Sequence, residues 1–351
     1  MESTLKAQSK NKVQPLCPIF NECGGCSYQN ISYEDELKTK ETHLKNLLCD
    51  SLHISDDAFT NIISSPKPYH YRNRLDLKLK RAKDKNIFIG FTPPDKKGVI
   101  PIEACYIAEQ NISDFIPELK RQAIERLPEK YRNANLTVRT GDDRRIHWGG
   151  IGRRSCQLQE HNYFWTEISG RKIFYSLDTF FQANLSILPK LFTEIRNLPI
   201  WNARPIFYDL YGGVGLFGIG FIDIVKRVVL IENSSQSLKI ARYNVNFNKL
   251  ENFQIINGKV EDHLPNMIKI KTDNSHVAMI DPPRAGLSEH ARCLLARMKE
   301  LHYILYLSCN PESLAKDLSE FLKQGWKVRN IIPFDFFPKT KHLETLVLLK
   351  L

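Results

Sequence analysis

The chain has 351 residues, 25% of them charged and 42% hydrophobic, enough for two domains with cores of their own and ordinary for a water-soluble protein. Fifty Lys and Arg against 39 Asp and Glu give a formal net charge of +11, which favours a polyanionic partner, nucleic acid above all. No apolar run reaches the roughly 20 residues of a membrane helix, and the polar stretch Met1–Gln14 holds no apolar signal core, so no membrane partner and a cytoplasmic location are expected. Eight unevenly spaced cysteines there do not read as a disulfide framework; some are expected to be ligands or catalytic, others buried.

Residues 1–16 read as a flexible tail. Cys17, Cys23 and Cys26 follow as C-x5-C-G-G-C, the pattern of a metal or iron–sulfur clamp. Ser32 with Asp35 marks a helix start, and Tyr33, Leu37, Leu44, Leu47 and Leu48 continue at helical spacing to about residue 49. From residue 68 to 180 short alternating runs such as Leu75–Leu79 and Leu136–Arg139 are separated by turn signals at Pro93-Pro94-Asp95, Gly141-Asp142 and Gly149-Gly150. This predicts a largely antiparallel domain, rich in basic residues: Lys78, Lys80, Arg81, Lys83, Arg144, Arg145, Arg153 and Arg154. From about residue 181 strands and helices alternate, which predicts an open, mostly parallel sheet with helices on both faces.

Asp209-Leu210-Tyr211-Gly212-Gly213-Val214-Gly215 follows the first strand of that sheet. Glycines such as Gly213 and Gly215 let the backbone turn sharply against a ligand. Glu232 ends the next strand, where a carboxylate can accept both ribose hydroxyls. With neither a full G-x-G-x-x-G nor a P-loop lysine, S-adenosylmethionine fits better than a dinucleotide or ATP; a glycine turn serving packing alone is the competing reading. Asp281-Pro282-Pro283-Arg284 follows a later strand, and Cys309, in Ser308-Cys309-Asn310-Pro311, follows the one after, on the same rim. Pro-Pro loops of this kind occur in amine methylases, which need no thiol. A cysteine beside one points to carbon methylation, in which a thiolate adds to carbon 6 of a pyrimidine and makes carbon 5 nucleophilic. Glu344, at the start of the last strand, is the candidate base for the carbon 5 proton. Taken singly, Cys309 reads equally as a buried strand-end thiol and Glu344 as a solvated carboxylate.

These motifs, with Phe180-Phe181-Gln182-Ala183-Asn184, Tyr71-Arg72-Asn73-Arg74 and His342-Leu343-Glu344, resemble the RNA uracil-5 methyltransferases that make 5-methyluridine. The resemblance covers nearly everything after residue 16. It implies a Rossmann-like α/β S-adenosylmethionine-dependent methyltransferase domain over 180–351 and a β-rich iron–sulfur and RNA-binding domain over 17–179, with 36–67 packing on the catalytic domain. It implies Cys309 as nucleophile, Glu344 as base, and Gln182, Tyr211, Glu232 and Asp281 as cofactor contacts. Leu216 departs from the polar residue common at its place in ribosomal members.

Ribosomal members of the family carry a [4Fe–4S] cluster on three close cysteines and a distant fourth. Cys17, Cys23 and Cys26 match the triplet and Cys105 stands where the fourth is expected; structural zinc is the alternative. Cys49, Cys156 and Cys293 match no role. The cysteine set tilts the expected substrate to 23S ribosomal RNA, in a compact monomeric enzyme without the N-terminal β-barrel of some members. The alternatives are a tRNA T-loop uridine methyltransferase, a non-catalytic iron–sulfur RNA-binding protein and a redox-sensing regulator.

Overall fold

The computed structural model describes residues 12–94, 98–152, 154–268 and 275–351. Most of the expected tail, Asp95 of the Pro-Pro turn and Arg153 of the basic set lie outside them. Residues 12 and 13 pair with the chain just before the first helix: Val13 N–H donates to Asn30 O at 3.0 Å and Lys12 bridges Ile31. That helix, α1 (Tyr33–Leu52), starts where Ser32 Oγ accepts from Asp35 N–H. It buries Glu36, Lys40, Leu44 and Leu48, one face at i, i+4 spacing.

A five-stranded antiparallel sheet follows, built from β1 (Arg74–Arg81), β2 (Ile87–Phe91), β3 (Ile100–Pro101), β4 (Asn133–Thr140) and β5 (Ile146–Gly149) in the order β3-β2-β1-β4-β5. Along β1 burial alternates strictly: Leu75, Leu77 and Leu79 face inward while Asp76, Lys78 and Lys80 face water. The inner face packs on α2 (Gln110–Arg126), a helix in a region where the sequence predicts strands. Its buried stripe is Ile112, Ile116, Leu119 and Ala123, and Pro117 within it obscures the helical period. A hairpin of β6 (Phe164–Ile168) and β7 (Arg171–Tyr175) then leads through α3 (Leu188–Arg196) into the second sheet.

That sheet has seven strands: β8 (Ile206–Leu210), β9 (Arg227–Glu232), β10 (Phe253–Asn257), β11 (His276–Ile280), β12 (Tyr303–Ser308), β13 (Lys327–Phe334) and β14 (Glu344–Lys350), in the order β10-β9-β8-β11-β12-β14-β13. The first five are parallel, and β14 runs antiparallel between β12 and β13. Strands β8 and β11 are buried at every position, as strands covered on both faces must be. The covering helices are α4 (Leu216–Phe221), α5 (Ser235–Phe247), α6 (Val260–Ile268), α7 (Glu289–Arg297) and α8 (Pro311–Lys323). Residues from α1 join the same core: Leu44 and Leu48 pack among Leu314, Leu318, Ile331 and Val347. The segment after α1 adds to the sheet edge, Phe59 bridging Ile331 and Ile63 bridging Phe334 in parallel sense. Among the described residues no helix is long and apolar enough to cross a membrane.

Candidate active site

The chain passes from β8 to β9 on one side and later to β11 on the other, which opens a crevice at the C-terminal ends of β8 and β11. The glycine turn leaves β8 there. Tyr211 sits at φ 59° and Gly215 at φ 93°, both left-handed, so the chain doubles back at once into α4. Glu232 holds this turn from the neighbouring strand end. Its Oε2 accepts from Gly213 N–H at 3.0 Å and its Oε1 from Asn233 and Ser234 N–H at 2.9 and 2.7 Å. Each carboxylate oxygen has a further lone-pair direction for a hydroxyl donor.

Tyr211, Gly213 and Asp281 line one pocket with Phe180, Phe181, Gln182, Val214, Leu216 and Phe217, which brings four of the six expected cofactor residues together, with Gly215 in the same turn and Glu232 bonded to Gly213. Leu216, the departure from the ribosomal pattern, gives that wall an apolar surface. Gln182 Nε2 donates to Asp281 Oδ2 at 3.3 Å. Burial pushes the Asp281 carboxyl up to about 7, opposed only by that hydrogen bond. Beneath the turn lies Asp209, 1% exposed, whose Oδ2 accepts from Gly218 N–H at 2.8 Å while Oδ1 has no partner. Burial, then the Asp281 and Glu232 charges, push it up to about 8. The sequence reading gave Asp209 no part of its own, because an acid in a strand reads as a lost alternation, not as a buried carboxyl.

The candidate nucleophile and base lie at the next strands. Ser308, the last residue of β12, faces Thr345 of β14, so Cys309 follows directly on β12 beside the start of β14 at Glu344. Burial, then the charges of Glu344 and Asp281, push the Cys309 thiol up to about 12, and the Arg284 guanidinium opposes them. Glu344 is 5% exposed, its Oε2 is unpartnered, and burial reinforced by Asp281 raises it well above the carboxylate range. Arg284 lies 3.5 Å from His342 Nδ1, and Asn310 Nδ2 donates to Arg284 O at 3.2 Å, so the Pro-Pro loop closes over the Cys309 end.

The two sheets are fastened together at the cofactor rim. Arg139 of β4, fully buried, donates to the carbonyls of Ser176, Thr179 and Phe181 at 2.7, 2.9 and 3.2 Å. Its guanidinium lies 4.7 Å from the Tyr175 ring, which stacks on Phe181 at 4.0 Å. Asn73 adds hydrogen bonds to Gln182 O and Ala183 O. Phe180, held beside these residues, is left 70% exposed at the pocket edge. Of the basic set, Arg81 and Arg145 are engaged with backbone carbonyls of their own domain and Lys78 with the Asn135 amide, and Lys78, Lys80, Lys83, Arg144 and Arg154 are exposed cations.

Cys17, Cys23, Cys26 and Cys105 line a single cavity of about 220 Å³. Burial, with the charges of Cys105, Cys23 and Cys17, pushes Cys26 up to about 12. Cys105 is raised mainly by burial, while the backbone N–H groups of Ala108 and Ile107 favour its thiolate. Among the described residues no three Cys, His, Asp or Glu side chains converge closely enough to hold one metal ion.

The fold matches that of a Pyrococcus abyssi tRNA (uracil-54, C5)-methyltransferase solved with S-adenosyl-L-homocysteine, with a TM-score of 0.72 over 93% of this chain and 85% of that one, at 21% identity. The molecule is thus an α/β S-adenosylmethionine-dependent methyltransferase fold preceded by an antiparallel sheet. Similar chains include uncharacterized RNA methyltransferases of Caldanaerobacter subterraneus, 28% identical over 98% of this chain and 86% of its own, and of Aquifex aeolicus, 26% identical over 95% and 83%. Residues 151–351 match the tRNA (uracil-5-)-methyltransferase family, and the chain belongs to it. It is an RNA (uracil-5-)-methyltransferase.

Proposed function

We propose that the enzyme methylates carbon 5 of a uridine in 23S ribosomal RNA, with Cys309 as nucleophile and Glu344 as base. The observation that supports the chemistry is that Cys309 and Glu344 lie at adjoining ends of β12 and β14, where the charge of Glu344 acts on the thiol and that of Asp281, from the pocket, acts on both. The residues present suit the methyl donor. Tyr211, Gly213 and Gly215 give a turn that approaches it closely, and Glu232 and Asp281 are acceptors for its hydroxyl and ammonium groups. Asp281 lines this pocket, and a cation bound there favours its ionised form. When bound, S-adenosylmethionine supplies an electrophilic methyl on a sulfonium centre. Cys309 passes its proton to solvent, its thiolate bonds to carbon 6, and the electron pair of the carbon 5–carbon 6 double bond moves onto carbon 5. After carbon 5 has gained the methyl, the Glu344 carboxylate takes the carbon 5 proton. The double bond reforms and the Cys309 sulfur leaves with its electron pair. The target base reaches this recessed pair only flipped out or unpaired.

Four thiols around a shared cavity suit a [4Fe–4S] cluster, whose irons each take one thiolate. Zinc asks four sulfurs to lie about 2.3 Å from one point, a convergence these thiols do not make. The raised thiols of Cys23, Cys26 and Cys105 fall on the pH scale when a cationic centre binds, as thiolate ligation requires. The cluster motif supports ribosomal RNA. A tRNA target is the second reading, favoured by the fold match to the tRNA uracil-54 enzyme. Purified enzyme incubated with methyl-labelled S-adenosylmethionine and either unmodified 23S ribosomal RNA or tRNA, followed by nucleoside mass spectrometry, decides between them. Labelled 5-methyluridine in the ribosomal pool alone is expected; label in the tRNA pool alone overturns the substrate assignment. Loss of methylation in Cys309→Ala with cofactor binding retained is expected, and retained activity overturns the nucleophile.

A further inference from the structure

Residues 335–343 connect β13 to β14, and the residues flanking this connection, Phe334 and Glu344, are partners across the ladder. Because Glu344 Oε2 has no hydrogen bond, the backbone of this connection largely decides where the carboxyl points. That backbone is gripped along its length. Asn184 Nδ2 donates to Phe336 O at 3.1 Å, Lys40 Nζ to Phe337 O at 3.1 Å and Tyr71 OH to Pro338 O at 3.0 Å. Lys339 N–H donates to Glu36 Oε1 at 2.6 Å, and Lys339 O accepts from Ser27 and Tyr28 N–H at 2.8 and 3.0 Å. Ser27 directly follows Cys26, so the thiol cage is tied to the same connection.

Four buried charges stand at the centre. Lys40 Nζ is 2.7 Å from Asp335 Oδ1 and 2.8 Å from Glu36 Oε1, and Lys339 Nζ is 3.3 Å from Glu36 Oε2. Tyr33 OH donates to Asp335 Oδ2 at 2.8 Å. All four charged residues are less than 5% exposed, and two carboxylates balance two ammoniums. Apolar side chains of equal volume would hold the fold at least as well. An ion set adds a single permitted geometry, because these partners meet only when α1 and the connection sit in one relative position.

We propose that this quartet positions the base: Lys40, with Glu36 and Asp335, fixes the 335–343 connection so that Glu344 meets the carbon 5 proton after methyl transfer. The inference rests on reading Glu344 as the base. A misplaced base leaves methyl transfer intact and stalls elimination, so the covalent protein–RNA adduct accumulates.

Lys40→Met removes the ammonium and touches neither Cys309 nor the cofactor pocket. The readouts are denaturation-stable adduct with RNA and S-adenosylmethionine, single-turnover methyl transfer, release of free methylated RNA, and cofactor Kd, with Glu344→Gln in parallel. The expected result is adduct accumulation in both variants, with release slowed about tenfold or more in Lys40→Met while methyl transfer and cofactor Kd hold. Adduct in Glu344→Gln with none in Lys40→Met overturns the positioning role, as does a parallel fall of transfer, affinity and release. No adduct in Glu344→Gln overturns the base reading and the inference with it. If Lys40→Met fails to fold, Asp335→Asn, which removes a charge at constant shape, is judged by the same outcomes.

Discussion

Asp209→Asn tests whether the cofactor turn stores a buried, protonated carboxyl. The wild-type group moves from an ordinary 3.8 to about 8 on folding, chiefly by burial. Between those values the folded protein binds more protons than the unfolded chain, so stability falls as pH rises through that window. At 1.36 kcal/mol per unit, the loss from this group is about 1.7 kcal/mol at pH 5 and about 5 kcal/mol at pH 8. An asparagine keeps the acceptor for Gly218 N–H and puts an amide where Oδ1 has no partner. That unpaired amide costs about 1–3 kcal/mol at any pH, so comparing the two pH values cancels it and leaves ionisation alone. Urea unfolding of both proteins at pH 5 and 8, followed by tryptophan fluorescence, should show the variant gaining on wild type by roughly 3–4 kcal/mol across that interval. Equal differences at the two pH values would refute the reasoning, because the carboxyl would then titrate alike in folded and unfolded chains.

Three further changes probe how the site is held. Arg139→Met leaves the carbonyls of Ser176, Thr179 and Phe181 without their donor, for a loss of about 3 kcal/mol or more in denaturant unfolding, and weakens cofactor binding by calorimetry through Gln182. Gly286→Ala places a Cβ 2.7 Å from Asp317 Oδ2 at φ +79°, where a side chain costs about 1–2 kcal/mol by itself. Because Asp317 also accepts from Leu287 N–H and Tyr306 OH, linking the Pro-Pro loop to β12, kcat should fall about tenfold or more in steady-state assays. Cys105→Ser in the purified enzyme should remove the visible absorption of an iron–sulfur centre, and an unchanged spectrum would exclude Cys105 as a ligand.

The second sheet was legible because strands buried on both faces give unbroken apolar runs such as Val228–Ile231 and Val277–Ile280, each closed by a residue or loop bearing chemistry. The first sheet was legible through the alternation of β1. Helix α2 was not, since Pro117 and the polar residues of its exposed face dilute the period that Ile112, Ile116 and Leu119 keep. Tyr211, Glu232, Asp281, Cys309 and Glu344 showed themselves as motifs because each lies at or just past a strand end. The groups that hold them did not. Arg139 stands next to the end of β4, where alternation with buried Leu136 and Val138 calls for an exposed side chain, and Glu36 and Lys40 are charged residues of a helix rich in charge. Their burial depends on partners 295 or more residues away in Asp335 and Lys339, which no local pattern contains.

The acids of the site share one electrostatic condition, and it bears on how the thiol is activated. Asp209, Asp281, Glu344 and Cys309 all lie above their ordinary range, and burial is the first cause at each. Among the described residues, Arg284 is the cation that opposes the rise at Cys309. A methyl donor brings positive charge into this surplus of suppressed negative charge, so its arrival favours the ionised thiol. Reactivity of Cys309 should therefore depend on the charge of the ligand and not on its shape. Alkylation of Cys309 by iodoacetamide, followed at that peptide by mass spectrometry, compares enzyme bound to S-adenosylhomocysteine, neutral at sulfur, with enzyme bound to an analogue carrying an ammonium in its place. Both ligands shield the thiol alike, so the difference reports charge. Each unit by which the cation lowers the thiol raises its thiolate fraction about tenfold at neutral pH. Equal rates with the two ligands would mean that the sulfonium position lies too far from Cys309 to act on it, and Arg284 would be left as the cation that activates the thiol.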